Sequence, residues 1–169
     1  TGSEPGALSP NGKLLAFVRD WNLWVRNRAT GKETQLTRDG AKDYGYATQN
    51  AGWVHGDGAI VRWSPDSKKI ATYRQDQRGV ADMYTVTTGI GHPKLEAWPY
   101  PLPGDKKVFM IQPVVIDIAT RKLVRLKMEP EQRLSTVCDQ LDCRSDGQWS
   151  DVKWAPDGKT FALVSTSRN

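Results

Sequence analysis

The chain has 169 residues and 18.9 kDa, enough for one ordinary domain with a real core, and it carries a formal net charge of +5. Hydrophobic residues make up 38%, and no apolar run approaches the ~20 residues of a membrane-crossing helix, which excludes a helical span in this segment. The 24 Lys+Arg are scattered among 19 Asp+Glu rather than clustered, so the charge reads as a mixed solvated surface and not as a nucleic-acid groove.

The start, Thr1-Gly2-Ser3-Glu4-Pro5-Gly6, is polar and turn-like and does not read as a signal peptide, and with no Met at position 1 it is not the end from which export of the parent protein is judged. Ser9-Pro10-Asn11-Gly12 reads as a tight turn, with Pro at the second position of a type I turn and Asn-Gly where left-handed backbone is tolerated. Leu14 to Arg19 follows as a strand, Asp20-Trp21-Asn22 as a turn and Leu23-Trp24-Val25-Arg26 as a second strand. Ala29-Thr30-Gly31-Lys32 turns the chain into Thr34-Gln35-Leu36-Thr37. Short antiparallel strands without 3.6-residue periodicity make a β-meander.

Asp39 to Gly58 is polar, aromatic and Gly-rich and reads as a connection over one face. Ile60-Val61-Arg62-Trp63 is then a strand into Ser64-Pro65-Asp66-Ser67, and Lys69 to Arg74 leads out of it. Arg74 to Arg78 reads as a charged turn and Asp82 to Thr88 as a strand. Gly89 to Asp105, with three prolines between Trp98 and Gly104, reads as an inserted loop. Lys107 to Ile118 is a long strand in which Pro113 marks a bulge or an edge, and Thr120-Arg121-Lys122 turns it into Leu123 to Leu126. A third turn phrase, Trp154-Ala155-Pro156-Asp157-Gly158, stands near the end of the chain.

Two repeats are superimposed here. The Ser/Ala-Pro-Asx turn occurs three times, and the Ala-Thr turn of residues 29–32 is repeated at 119–122. Each unit therefore has four strands: into the first turn, out, into the second turn, out. Four-stranded antiparallel units in series are propeller blades. The expected fold is all-β, a partial β-propeller of about three blades with the first and last incomplete. The units are expected at about 1–40, 59–127 with an insertion at 89–105, and 148–169. On this reading the first unit lacks its incoming strand and the chain is an excised piece with open edges.

With these segments placed, the chain resembles the N-terminal propeller of the dipeptidyl peptidase IV branch of the prolyl oligopeptidase family. The carriers are Asn22-Leu23-Trp24-Val25, Leu36-Thr37-Arg38-Asp39-Gly40, Asp43-Tyr44-Gly45-Tyr46, Trp63-Ser64-Pro65-Asp66 and Trp98-Pro99-Tyr100-Pro101, in the family's order. The resemblance implies a propeller fused to an α/β-hydrolase domain, absent from this chain, whose Ser-Asp-His triad removes N-terminal dipeptides. The propeller would shape and gate the peptide cavity. The resemblance also implies a loop that grips the substrate amine with two acidic residues directly after Asp-aromatic-x-Tyr. Here Ala47-Thr48-Gln49-Asn50 stands there instead, and no carboxylate lies between Asp43 and Asp57. The candidate substrate-binding residues are Asp43, Tyr44, Tyr46, Gln49 and Asn50, with a turn or cap role as the competing reading of Asp43.

No G-x-S-x-G elbow occurs, and His55 and His92 lie in Gly-rich loops without readable Ser and Asp partners, so no catalytic residue is assigned and no activity is expected of this chain alone. No cofactor is expected, and a zinc site lacks ligands. Cys138 and Cys143 enclose a short polar loop and are read as a local disulfide, with free thiols as the alternative; the disulfide and the family resemblance imply a periplasmic or otherwise exported protein. The expected partners are a peptide substrate and a second copy paired through open blade edges. A stand-alone propeller that binds proteins or glycans is the alternative function.

Overall fold

The computed structural model describes residues 6–48, 58–133 and 148–164, and all regular structure among them is β-strand. The first sheet is a meander of β1 (Ala7–Leu8), β2 (Leu14–Arg19), β3 (Asn22–Asn27) and β4 (Glu33–Gln35), in that order and antiparallel. The first unit does have an incoming strand, reduced to the two residues of β1. The β2–β3 connection is a two-residue turn in which Asp20 and Trp21 both take positive φ, 49° and 58°. That left-handed pair matches the right-handed twist of the flanking strands.

The second sheet begins with β5 (Tyr44–Tyr46) and β6 (Arg62–Trp63), which share one edge of β7 (Lys69–Asp76): Trp63 pairs with Ile70 and Tyr46 with Arg74. The next two strands, β8 (Asp82–Thr87) and β9 (Lys94–Pro99), form a hairpin of their own outside this sheet. The hairpin takes Trp98 and Pro99 into a strand and places His92 at its exposed tip. The other edge of β7 is covered along its length by β10 (Phe109–Asp117), followed by β11 (Leu123–Arg125) and β12 (Glu131–Arg133). Pro113 is neither at a bulge nor on an edge strand. It falls where the outer side of β10 changes partner, from β12 at Phe109–Ile111 to β11 at Val114–Ile116, so its missing N–H interrupts no ladder. The third unit is the hairpin of β13 (Val152–Trp154) and β14 (Phe161–Leu163).

The turns repeat bond for bond. The Ser64 backbone N–H donates to the Lys69 carbonyl at 2.9 Å, the Ser64 Oγ donates to Asp66 Oδ1 and accepts from the Lys69 N–H at 2.9 Å. Ser9, Asn11 and Leu14 repeat this set. The third copy keeps the backbone bond from Ala155 to Thr160 and lacks the hydroxyl, and Gly12, Ser67 and Gly158 carry the left-handed φ in the three copies. The second type of turn repeats likewise: Asn27 and Asp117 each accept from the N–H of the Thr three residues on, their carbonyls accept from Gly31 and Arg121, and their N–H groups donate to the carbonyls of Lys32 and Lys122.

Between units the same economy holds. The indole N–H of Trp63 donates to the Ala7 carbonyl at 3.1 Å, and that of Trp154 donates to the Arg62 carbonyl at 3.1 Å. Ala7 and Arg62 each stand two residues before their unit's turn serine, so unit two sits on unit one as unit three sits on unit two. One core lies between units one and two, with Val25, Leu36, Trp63, Ile70, Val114 and Ile116 among its members. A second, with Ala71, Tyr73, Trp149, Val152 and Trp154, joins units two and three. Among the tryptophans, Trp63 and Trp154 are buried whereas Trp21 is 37% exposed.

Removing the repeated hydroxyl by Ser64→Ala is expected to cost about 1 kcal/mol in urea unfolding, since the hydroxyl accepts from the part-buried Lys69 N–H, and Ala155→Ser is expected to add less, because Thr160 is exposed. Trp63→Phe removes the indole donor from the buried Ala7 carbonyl, which keeps its ladder pairing with Ala16, and is expected to cost about 1 kcal/mol by the same measurement.

Acid is expected to loosen the turns. The Ser64 hydroxyl holds Asp66, and the Thr120 N–H holds Asp117, below the ordinary aspartate value of 3.8. A folded pKa lower than the unfolded one gives stability that is present above 3.8 and lost as pH falls through the folded value. Asp66→Asn should flatten that part of the acid-unfolding curve.

Candidate functional site

The candidate residues after the Asp-aromatic-x-Tyr phrase are positioned by an interlock at the end of β2 and β3. Asn22 is the key. Its Nδ2 donates to the carbonyls of Asp20 and Gly40, and its Oδ1 accepts from the Gly40 N–H and the Thr37 hydroxyl at 3.0 Å. The Thr37 Oγ1 in turn accepts from the Leu23 N–H. A Cβ on Gly40 would lie 2.2 Å from the Trp21 carbonyl oxygen, so only glycine fits. The chain is thus bent sharply after Leu36-Thr37, and the Tyr46 N–H reaches the Trp21 carbonyl at 2.9 Å. Gly45 lets the Trp21 side chain lie against β5, where an added Cβ would meet it at 3.1 Å.

β5 then joins the far end of β7, and a polar corner results. Asp43 has φ of 62°, and its backbone carbonyl accepts from the Gln77 N–H at 2.9 Å. Its Oδ1 accepts from Gln77 Nε2 at 2.8 Å. Gln77 Oε1 accepts from Gln75 Nε2 at 2.9 Å, and Gln75 Oε1 accepts from the Thr48 hydroxyl. Both glutamines are 4% exposed. Buried amides are stable only when both ends are bonded, and this chain of four side chains bonds them.

Above it, the Tyr44 ring lies under two guanidinium groups, with Arg78 4.1 Å and Arg74 4.6 Å from its centroid. Arg78 also pairs with Asp76 at 2.6 Å and holds that carboxylate below its ordinary range. Tyr46 is 1% exposed, and its hydroxyl donates to Asp39 Oδ2 at 3.1 Å. Burial first, and the Asp39 bond second, push its pKa up from 10.0.

The structure therefore brings Asp43, Tyr44 and Tyr46 together on the β5–β7 corner with distinct roles: Asp43 anchors the turn to Gln77, Tyr44 carries the cations at the surface, and Tyr46 belongs to the core. Gln49 and Asn50 lie outside the described residues, as do His55, Cys138 and Cys143. Ala47 is fully buried with φ of 54°, its N–H bonded to the Tyr73 carbonyl, and the Thr48 carbonyl accepts from the Tyr73 hydroxyl. A carboxylate pair directly after Tyr46 has no room to reach solvent. Residues 74–76 are not a charged turn but the last residues of β7. Sequence reading missed Gln75 and Gln77, although the alternation of charged and amide side chains from Arg74 to Arg78 was a period-two signal.

Repeated four-stranded units stacked through equivalent tryptophans define the β-propeller class. The family model of the dipeptidyl peptidase IV (DPP IV) N-terminal region matches residues 4–169, and the chain belongs to this family. A probable dipeptidyl-aminopeptidase B of Sordaria macrospora is 28% identical over 170 residues, covering 95% of this chain and 18% of the relative. One from Aspergillus terreus is 32% identical over 101 residues, covering 57% of this chain and 10% of the relative. Among solved structures, the crystal structure of Porphyromonas gingivalis dipeptidyl peptidase 4 superposes with a TM-score of 0.66 at 19% identity, over 96% of this chain and 22% of that one. A putative dipeptidyl aminopeptidase IV from Bacteroides ovatus gives 0.61 at 20% identity, over 98% and 20%. These two show a shared fold, and the chain spans about a fifth or less of each relative.

The buried amide chain and the surface cations are expected to differ in weight. Gln77→Leu strands the Asp43 carboxylate and the Gln75 amide and should cost about 1–3 kcal/mol in urea unfolding. Arg78→Ala removes an exposed ion pair and a surface cation–π contact and should cost about 1 kcal/mol or less.

Proposed function

We propose that this chain is a non-catalytic propeller segment of a dipeptidyl peptidase IV-like serine exopeptidase that removes N-terminal dipeptides. The observation that carries the reading is the family match along residues 4–169. It is supported by the names of the relatives and by the lack of a G-x-S-x-G phrase in the sequence. In this reading the segment is part of the wall around the peptide, and its contribution is shape and charge at the β5–β7 corner.

Tyr44, Arg74 and Arg78 are the groups at the surface of that corner, and we assign them to the peptide. Two guanidiniums are donors only, so they suit peptide carbonyls or a carboxylate and not the free amine. The carboxylate that meets the amine is not at Ala47 or Thr48, since both side chains are buried. Export of the whole protein, and a Cys138–Cys143 disulfide, belong to the same proposal.

The test uses the full-length polypeptide and a fluorogenic Ala-Pro substrate. Hydrolysis with a free N-terminus and none after N-acetylation is expected, with no activity from the 169-residue chain by itself. A full-length protein that hydrolyses neither substrate, or that cleaves the acetylated one equally well, overturns the reading. Arg74→Ala is expected to raise KM about tenfold with kcat little changed, the loss of one charge-assisted hydrogen bond to bound peptide.

A further inference from the structure

The three turn phrases share a bonding pattern and differ in one group. The side-chain oxygens of Asn11, Asp66 and Asp157 each accept from the backbone N–H two residues on, Lys13 at 3.0 Å, Lys68 at 3.1 Å and Lys159 at 2.9 Å. Two copies hold a carboxylate at this place and the first holds an amide. Asn11 is exposed, and of the five asparagines in the sequence it alone precedes a glycine.

Asparagine before glycine is a reactive pair. The side-chain carbonyl carbon is one five-membered ring away from the next backbone nitrogen, and glycine has no Cβ to hinder the approach. Gly12 has φ of 69°, and beyond its chain neighbours no atom lies within 4 Å of where a Cβ would stand. That flank of the turn is open to water.

The closed turn restrains the reaction. The Gly12 N–H donates to the Ser9 carbonyl at 2.8 Å, which holds the proton that must leave. Asn11 Oδ1 accepts from the Ser9 hydroxyl at 2.9 Å as well as from Lys13, which pins the carboxamide. The Asn11 N–H donates to Ser67 Oγ at 3.1 Å and ties the turn to that of unit two. Ring closure therefore waits for a local opening of residues 9–13.

We infer that Asn11–Gly12 is a spontaneous modification site whose aspartate product the turn accepts and whose isoaspartate product it rejects. On opening, the Gly12 nitrogen loses its proton to solvent and attacks Asn11 Cγ. A C–N bond closes a succinimide ring as the Cγ–Nδ2 bond breaks, and the departing NH2 regains a proton and leaves as ammonia. Water then adds to one of the two ring carbonyls. Opening at Cγ leaves aspartate, and opening at the main-chain carbonyl leaves isoaspartate, with the chain routed through Cγ. Asp66 shows the first product in place: its Oδ1 accepts from the Ser64 hydroxyl and the Lys68 N–H as Asn11 Oδ1 accepts from Ser9 and Lys13. Conversion lowers the net charge by one and gives the first turn the carboxylate of the other two. Isoaspartate lengthens the main chain by one carbon, so the Gly12–Ser9 and Asn11–Ser67 bonds no longer close together.

The test ages the 169-residue chain in mildly alkaline buffer, folded and in urea, and resolves peptides spanning residue 11 by chromatography and mass spectrometry. Both samples should convert at residue 11, the folded one at least about tenfold more slowly. Ser9→Ala should speed conversion of the folded chain about fivefold, by freeing the carboxamide, and leave the rate in urea unchanged. Asn11→Asp should melt with the parent at neutral pH. In the aged chain, hydrogen exchange should find the Gly12 amide protected in the aspartate form and unprotected in the isoaspartate form. The inference fails if residue 11 keeps its amide in urea, if folded and unfolded chains convert alike, or if Ser9→Ala converts as slowly as the parent. It fails equally if Asn22 or Asn27, which precede Leu23 and Arg28, convert as fast as Asn11. A lowered melting temperature in Asn11→Asp, or a protected Gly12 amide beside isoaspartate, overturns the claim about the two products.

Discussion

The indole-to-carbonyl bond between units is the contact on which the arrangement rests. A tryptophan just before the second and the third turn extends across to the incoming strand of the preceding unit, Trp63 to Ala7 and Trp154 to Arg62. An indole N–H that is buried must find an acceptor, and the most reliable acceptor is a backbone carbonyl held in a strand. Because the donor and acceptor occupy equivalent positions, the bond sets spacing and rotation of neighbouring units alike. The turns then meet as well: the Asn11 N–H donates to the Ser67 hydroxyl, and Lys69 Nζ to the Gly158 carbonyl.

Once the units are set, their two faces separate. In unit two, Trp63, Ile70, Val114 and Ile116 face unit one, and Ala71, Tyr73, Ile111 and Val115 face unit three. The period-two alternation of a strand makes this division automatic. It also explains why β7 reads as a nearly continuous buried run, since both of its faces are interior. The polar corner exists because β7 outruns β6: beyond Ile70–Ala71 the edge of β7 is taken over by β5, which brings the Asp43-to-Tyr46 loop onto Arg74, Gln75 and Asp76.

Much of this was legible in the amino-acid sequence. Pro, Asx and Gly at fixed offsets mark turns through backbone preference alone, so the three turn phrases and the two Ala-Thr turns give the strand order and the unit count locally. The family resemblance rested on the same phrases, and the interlock of Asn22, Thr37 and Gly40 shows why two of them recur together. Strands set by distant partners were less legible. β1 is two residues long and exists through pairing with Leu15 and Ala16, and the residues from Arg74 to Asp76 look like a turn until β10 and β5 are placed on either side. Pro113 signalled an edge, and only the change of partner beside it shows how an inner strand carries it.

The sequence by itself determined the turns, the alternation of strand faces and hence the repeated unit, because each depends on residues within a few positions of one another. The tertiary structure alone decided the roles at the candidate site. Asp43 is bound to Gln77, 34 positions away, Tyr46 is buried, and Tyr44 is left at the surface beneath Arg74 and Arg78. Those outcomes depend on which strand takes the edge of β7, and edge pairing is a contest among distant segments that no local pattern records.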